Sequence, residues 1–181
     1  MNGPSRPDPC VTLLIERARG GDAVAFRGLY ERHVGRIHAF ALRVMGDRTE
    51  AEDMTQDVFV TAWRRLPDFR GEASFGTWLH GIAMLLARHR WRGIARRRLN
   101  HERHLREYVA SVATAMPTAD LDLERALATL PRRMRTALVL HAIEGYTQLE
   151  TARMMGITEG AVKAHIHRAR SLLNERRRSD G

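Results

Sequence analysis

Apolar residues recur at helical spacing through almost the whole chain, and capping residues separate one such stretch from the next. Asp22 is placed to cap a helix, while Asp47 and Thr147 are each followed three residues later by a glutamate, the pattern of a capping box. No stretch alternates apolar and polar residues in the way that a half-buried strand requires. The chain is therefore predicted to be all-α.

The predicted helices form two groups on either side of a weakly patterned stretch. The first group comprises a short helix ending near Gly20, helices from Asp22 to about Met45 and from Asp47 to about Leu66, and a long helix beginning after Ser74. The second group comprises helices over 120–129, 131–144, 147–155 and 158–176. We predict two small helical domains at 21–98 and 120–177, an N-terminal tail with a short helix at 1–20, and a linker at 99–119.

Charge is unevenly distributed along this basic chain. The formal net charge is +9, and all 30 basic residues are arginines except Lys163. Seven arginines and one glutamate give residues 69–98 a formal charge of +6, whereas residues 21–68 carry −1. Arginine suits phosphate and base contacts, so the central segment predicts a nucleic-acid partner.

Cysteine usage and hydropathy indicate a cytoplasmic protein. Cys10 is the single cysteine, so no internal disulfide can form and a reducing compartment fits best. The chain shows neither a signal segment nor a run of 18 apolar residues.

The segment YTQLETARMMGITEGAVKAHIHRAR is typical of a helix-turn-helix. A short helix ends at Met155, Gly156 supplies the tight turn, and Thr158 opens a second helix. One face of the second helix is apolar, with Val162, Ile166, Ala169 and Leu173. The opposite face, with Lys163, Ala164, His167, Arg168 and Ser171, offers cations to phosphates and guanine edges and a small residue for close approach. A solvated surface is the alternative, but the turn favours DNA binding. We call Lys163, Ala164, His167 and Arg168 the recognition face.

The histidines do not predict a metal site. His165 and His167 point in diverging directions on a helix, and neither this pair nor His101 with His104 is joined by a cluster of cysteines or carboxylates. We predict no metal and no cofactor.

The arginine-rich segment also carries aromatic residues, and single-stranded DNA binding requires this combination. Arg88, Arg92 and Arg96 recur every four residues and form one cationic ridge. Phe75 and Trp78 are predicted to belong to the core. Phe69, in contrast, lies in the polar loop PDFRGEAS, residues 67–74, where no helical stripe explains it.

Two motif blocks resemble a known family. The first is GDAVAFRGLYERH with AEDMTQDVFVTAWRRLPDFRGEASFGTWLHGIA, and the second is LATLPRRMRTALVLHAIEGYTQLETARMMGITEGAVKAHIHRARSLL. Over residues 21–98 and 124–174 the chain resembles an extracytoplasmic-function (ECF) sigma factor of bacterial RNA polymerase, in the sigma-70 family. The resemblance implies a sigma-2 domain that binds polymerase and opens the −10 promoter element, followed by a sigma-4 domain that reads the −35 element.

The resemblance also assigns residues to the polymerase contact. Asp53, Gln56 and Asp57, here named the acidic face, match those that contact the clamp coiled coil of the largest polymerase subunit. These positions share one side of a helix, where acceptors pair with arginines and are repelled by DNA. Helix capping or solubility is the alternative role.

The family likewise reads the −10 element with the segment around the 67–74 loop, which captures an unstacked base. The residues assigned to −10 DNA are Phe69, Arg70, Trp78, Arg88, Arg92 and Arg96. Two positions depart from the family pattern. Leu85 stands where an asparagine commonly helps the −10 contact, and Thr151 stands where a large aliphatic residue is usual, which predicts looser packing of sigma-4.

The implied partners are core RNA polymerase, promoter DNA and an anti-sigma factor that covers binding surfaces of both domains. Such factors respond to stress or other signals, and a membrane-bound anti-sigma factor would hold the protein at the inner membrane. No small-molecule substrate is implied. The protein is predicted not to be an enzyme, since its acids and histidines form no nucleophile, metal or phosphate-loop arrangement.

Two other classes compete with this interpretation. A decoy that only titrates an anti-sigma factor would not need Lys163, Arg168 or the cationic ridge. A two-domain repressor would have no use for the acidic face beside a base-capture loop. Promoter-dependent transcription with purified core polymerase separates these classes from a sigma factor.

Overall fold

The computed structural model describes residues 9–100 and 118–179, whose helices form the two predicted groups. The N-terminal domain contains α1 (Pro9–Arg19), α2 (Ala23–Met45), α3 (Arg48–Arg65), a 3-10 turn (Leu66–Asp68) and α4 (Phe75–Asn100). The C-terminal domain contains α5 (Thr118–Ala128), α6 (Arg132–Leu138), a π-helical turn (Val139–Ile143), α7 (Gln148–Met155) and α8 (Glu159–Ser179). None of the described residues forms a strand, so the predicted all-α architecture of two helical domains is confirmed.

The predicted helix caps are present and determine where the helices begin. The Asp22 carboxylate accepts from the amides of Val24 and Ala25, and the hydrogen bond to Ala25 is the main cause that lowers the pKa of Asp22. Asp47 accepts from the Glu50 amide at 2.8 Å. Thr147 and Glu150 form a complete capping box at the start of α7. Each cap satisfies an amide that has no partner within its own helix.

Helix α2 lies at the centre of the N-terminal domain and packs against α1, α3 and α4. Its inward side carries Leu29, Ile37, Phe40 and Val44, all at most 1% exposed, and α3 and α4 contribute Met54, Val58, Leu79 and Ala83. The outer side of α3 consequently remains exposed, whereas α4 also contacts α7. In the C-terminal domain α8 packs against α6 and α7.

The predicted helix over 131–144 is interrupted by a π-helical turn. Helix α6 ends at Leu138, and the Glu144 amide then bonds to the carbonyl of Val139, five residues earlier. Gly145 follows with a φ of 79°, and the Tyr146 amide bonds to the carbonyl of Leu140. This wider turn ends the helix and directs the Glu144 side chain, which is only 5% exposed, toward the N-terminal domain.

The predicted linker at 99–119 lies almost entirely outside the described residues, as does the pair His101 and His104. Within the described ranges no helix combines the length and the apolar composition needed to cross a membrane.

Thr151 is fully buried in α7, and its hydroxyl finds no hydrogen-bond partner among the described residues. Thr151→Val removes this unpaired group at nearly constant shape, so the free energy of unfolding should rise by about 1 kcal/mol, as measured by urea denaturation. Thr136→Val is the matched control, because Thr136 is equally buried but donates to the carbonyl of Arg132 at 2.8 Å and should lose stability. Equal losses in both variants would contradict the prediction.

Candidate protein and nucleic-acid interfaces

The predicted acidic face lies on the outer side of α3. Asp53, Gln56 and Asp57 are all exposed, whereas the neighbouring Met54 and Val58 are fully buried. The helical repeat therefore separates acceptors from core residues as the sequence predicts. The structure brings the three side chains to one surface, and their contact with polymerase stays a prediction.

An ion pair that the sequence did not predict joins the acidic face to α4. Arg90 Nη2 lies 2.6 Å from Asp57 Oδ2, and Arg90 Nη1 lies 3.4 Å from the carbonyl oxygen of Glu50. Both side chains remain partly exposed, so the pair adds little stability. It orients the Asp57 carboxylate where the basic helix α4 packs beside the acidic helix α3.

A shallow groove of about 890 Å³ adjoins the acidic face and has an apolar floor. The rings of Phe26 and Trp63 meet edge to face at 4.8 Å, as do those of Tyr30 and Phe59. Phe59 is buried in the core, whereas Trp63 is 37% exposed and Val60 is 46% exposed. The groove thus combines acceptors with accessible apolar surface, a composition suited to a protein partner.

Phe69, which no helical stripe of the sequence explains, is a core residue of the N-terminal domain. It is 6% exposed, and its ring lies 5.0 Å from the ring of Trp78 and 5.7 Å from that of Phe75. The guanidinium of Arg19 lies 5.9 Å from the Phe69 ring. The chain turns back after the loop, and this brings the rings of Phe69, Phe75 and Trp78 into one cluster. Phe69 therefore anchors the 67–74 loop, to which it belongs, to the core of the N-terminal domain.

A cavity of about 510 Å³ opens between the 67–74 loop and the C-terminal domain. Arg70, Trp78 and Leu85 line it from the N-terminal domain, together with Phe69 at its floor. Arg70 is exposed and Trp78 is half-buried, so a cation and an aromatic ring are both available there. Leu85 is 38% exposed and lines the cavity at the position where the family commonly has an asparagine.

The predicted cationic ridge is only partly open to solvent. Arg92 is exposed on α4. Arg88 is half-buried, and its guanidinium packs so closely on Gly156 that a Cβ there would lie 2.7 Å from Arg88 Nη2. The side chain of Arg96 lies outside the described part of the chain. In this arrangement Arg88 contacts the helix-turn-helix.

The helix-turn-helix forms as predicted, with α7, a turn at Gly156 and α8. Gly156 has a φ of 67°, in the left-handed region, and its amide bonds to the carbonyl of Ala152 at 2.8 Å. Val162, Ile166 and Ala169 are buried, whereas every residue of the recognition face is exposed. This surface is therefore accessible to a DNA major groove.

The two histidines of α8 separate as predicted. His165 is half-buried, and burial is the main cause that lowers its pKa, with Arg133 and Arg168 adding to the effect. His167 is exposed on the recognition face. Among the described residues no group of three histidine, cysteine or carboxylate side chains could hold a metal ion.

An exposed helix-turn-helix in one domain, with an acidic and a basic helix side by side in the other, is the arrangement expected of a bacterial transcription initiation factor. Family models agree with this class: Sigma-70 region 2 matches residues 29–98, and Sigma-70 region 4 matches residues 120–173.

Curated relatives extend the match over most of the chain. The ECF RNA polymerase sigma factor SigM of Mycobacterium tuberculosis is 36% identical over 155 residues, which cover 84% of this chain and 77% of SigM. The RNA polymerase sigma-H factor of Pseudomonas aeruginosa is 30% identical over 90% of this chain and 91% of its own. The chain belongs to the ECF sigma factors of the sigma-70 family, the subunits that bind core RNA polymerase and direct it to promoters.

Solved structures share the arrangement. The sigma factor RpoE of Bartonella quintana, in complex with the anti-sigma factor NepR, aligns with a TM-score of 0.69 at 26% identity, covering 83% of this chain and 94% of that one. CnrH in complex with the cytosolic domain of CnrY aligns with a TM-score of 0.62 at 30% identity, covering 95% and 99%.

Proposed function

We propose that this sigma factor binds core polymerase through the acidic face and reads the −35 element through the recognition face. One observation carries the proposal: both sets of residues are exposed to solvent, on helices whose other sides are buried. The acidic face attracts a basic protein surface and repels DNA, whereas Lys163, His167 and Arg168 offer donors to phosphates and base edges. The two partners thus bind different domains of the molecule.

The −10 element is assigned to the cavity beside the 67–74 loop. Arg70 supplies a cation for the backbone, and Trp78 supplies a ring surface for an unstacked base. Phe69, buried beneath them, keeps the loop in place, and Arg88 and Arg92 extend the cationic surface along α4. The binding free energy of the captured strand then favours the opened duplex.

Nothing in this scheme requires catalysis by the factor itself. Strand opening follows from preferential binding of the single strand, and polymerase performs the chemistry. We place this action in the cytoplasm, where the core enzyme and promoter DNA are found.

An anti-sigma factor is the proposed regulatory partner. The groove of about 890 Å³ beside the acidic face exposes Tyr30, Val60 and Trp63 next to Asp53 and Gln56. A partner that inserts apolar side chains there would block the surface assigned to polymerase. The solved structure of RpoE holds the anti-sigma factor NepR, and that of CnrH holds the cytosolic domain of CnrY.

Run-off transcription tests the proposal with purified core polymerase, the full chain and the DNA upstream of its own coding sequence. A promoter-dependent transcript is expected only when the factor is present. Core binding without any such transcript would point to a decoy, and DNA binding without core binding would point to a repressor.

A further inference from the structure

A glycine lies in the interior of α4 although neither its backbone nor its neighbours require one. Gly81 does not have a positive φ, and a Cβ at that position would meet no atom of the described residues within 4 Å. Glycine in the interior of a helix is destabilising relative to alanine. The space in front of Gly81 therefore stays open at the expense of helix stability, which points to a use of that space by a ligand.

This open space belongs to the cavity beside the 67–74 loop. Gly81 lines that cavity, whose volume of about 510 Å³ lies within the range of about 300–1,000 Å³ that is usual for ligand sites. Trp78, Gly81 and Leu85 follow one another at spacings of three and four residues, so they share one face of α4. Trp78 and Leu85 are about 10 Å apart along the helix axis, and position 81 between them has no side chain. We call this recess the Gly81 notch.

The walls of the Gly81 notch are apolar, and one of them is fixed by packing. The Trp78 ring lies 5.0 Å from the ring of Phe69 and 5.6 Å from that of Phe75. Ile82, which follows Gly81 and also lines the cavity, is 3% exposed. Leu85 forms the other wall and is 38% exposed. A flat ring fits such a recess, because aromatic side chains stack on the faces of unpaired bases.

The polar side chains that line the cavity leave the notch itself without a group that reads base edges. Thr77 Oγ1 lies 2.9 Å from Ser74 Oγ, and the Tyr146 hydroxyl lies 2.7 Å from His80 Nδ1, so both hydroxyls already have partners. The charged residues of the cavity are all exposed to solvent: Arg65, Asp68, Arg70, Glu72, Glu150 and Arg153. The arginines among them suit backbone phosphates, whereas a base in the notch finds apolar contacts.

Thymine is the base that an apolar wall distinguishes. Its C5-methyl group is recognised by contact with apolar side chains, whereas the other bases are recognised by hydrogen bonds to their edges. Resting on the −10 assignment made above, we propose that the Gly81 notch holds the captured base with its ring on Trp78 and its C5-methyl against Leu85. The factor then prefers thymine at one position of the −10 element, and Leu85 determines that preference.

Promoter opening by the holoenzyme tests the base preference. Core polymerase and the full chain are combined with the DNA upstream of its coding sequence, and heparin-resistant open complexes are measured. Each position of the −10 element carries in turn each of the four bases or uracil on the non-template strand. At one position thymine should give the largest equilibrium constant for opening. Uracil there, which lacks only the methyl group, should lower this constant about fourfold.

Variants at position 85 test whether Leu85 contacts the methyl group. Leu85→Asn should abolish the difference between thymine and uracil, and Leu85→Ala should reduce it, because the apolar wall is lost or shortened. Leu13→Asn is the matched control, since Leu13 is also an exposed leucine of the N-terminal domain but does not line the cavity. It should keep the full difference between thymine and uracil.

Glycine variants separate the space for a ligand from the stability of the helix. Gly81 and Gly35 are both exposed inside long helices, and a Cβ at either position would meet no described atom within 4 Å. Gly81→Ala and Gly35→Ala should both raise the temperature of thermal unfolding, because alanine favours helix. Gly81→Leu fills the notch and should lower the equilibrium constant for opening at least about fivefold, the effect of losing one stacked base. Gly35→Leu should leave opening unchanged.

The results distinguish failure of the notch from failure of the proposed −10 surface. If the wild-type holoenzyme forms no open complex on any template, the proposed −10 surface is refuted and the notch with it. Normal opening without a preference for thymine over uracil at any position would overturn the notch alone, as would unchanged opening in Gly81→Leu. A thymine–uracil difference that persists in Leu85→Asn would overturn the role of Leu85.

Discussion

Asp57→Arg is expected to lower the affinity for core polymerase by at least about 100-fold. Loss of one close charge contact at a protein interface costs about 2–5 kcal/mol, and each tenfold in affinity corresponds to about 1.4 kcal/mol. The substituted arginine also repels the basic surface that the acidic face is proposed to bind. Binding should be measured by fluorescence anisotropy with purified core polymerase and without DNA.

The controls must separate loss of the polymerase contact from loss of the ion pair that Asp57 forms within the protein. Asp57 pairs with Arg90 at 2.6 Å, so the substitution places two arginines together on α3 and α4. Because both side chains are partly exposed, the stability cost should stay below about 1 kcal/mol, and thermal unfolding checks this. Glu31→Arg is the matched reversal, since Glu31 also forms an exposed ion pair, with Arg27 at 2.9 Å, but lies outside the acidic face.

Two outcomes would contradict the assignment of the acidic face. If core binding is unchanged in Asp57→Arg, the acidic face serves helix capping or solubility and does not bind polymerase. An equal loss in Glu31→Arg would show that overall charge matters and that the acidic face does not. Binding of a −35 duplex by the full chain should be unchanged in both variants, because the recognition face lies in the other domain.

Local chemistry explains why much of the fold could be predicted from the sequence. A cap such as Asp22 or Thr147 acts on amides two or three residues away, so it can be predicted from residues that are close in the sequence. The exposure of the recognition face follows equally from the helical period of α8. These features required no knowledge of which helix packs on which.

The features that sequence reasoning missed depend on packing and backbone geometry that the helical period does not encode. Phe69 lies in a polar loop that no helical stripe explains, and the return of the chain at Phe75 and Trp78 helps to bury it. The π-helical turn was missed because a run of apolar residues is compatible with either helix type. A positive charge at Arg135 predicts solvent exposure, yet the end of α2 gives it a buried partner. A buried arginine beside a positive-φ glycine is a signal that only the three-dimensional structure reveals.

Arg168→Ala is expected to weaken binding of a −35 duplex by about 1–3 kcal/mol, or roughly 5- to 150-fold, if Arg168 contacts a base edge. The residue is exposed on α8, and the buried side of the helix is held by Val162 and Ile166, so truncation should not alter folding. Affinity should be measured by gel shift on the duplex and on versions with single substituted base pairs. A base contact relaxes discrimination at one position, whereas a phosphate contact weakens all duplexes alike.

Arg170→Ala is the matched control, because Arg170 is exposed on the same helix and lies about 200° further around its axis. It should leave discrimination between base pairs unchanged. The recognition face is exposed even while Arg88 contacts Gly156, so −35 binding requires no change in that contact. Unchanged −35 affinity in Arg168→Ala would mean that this face is only a solvated helix surface.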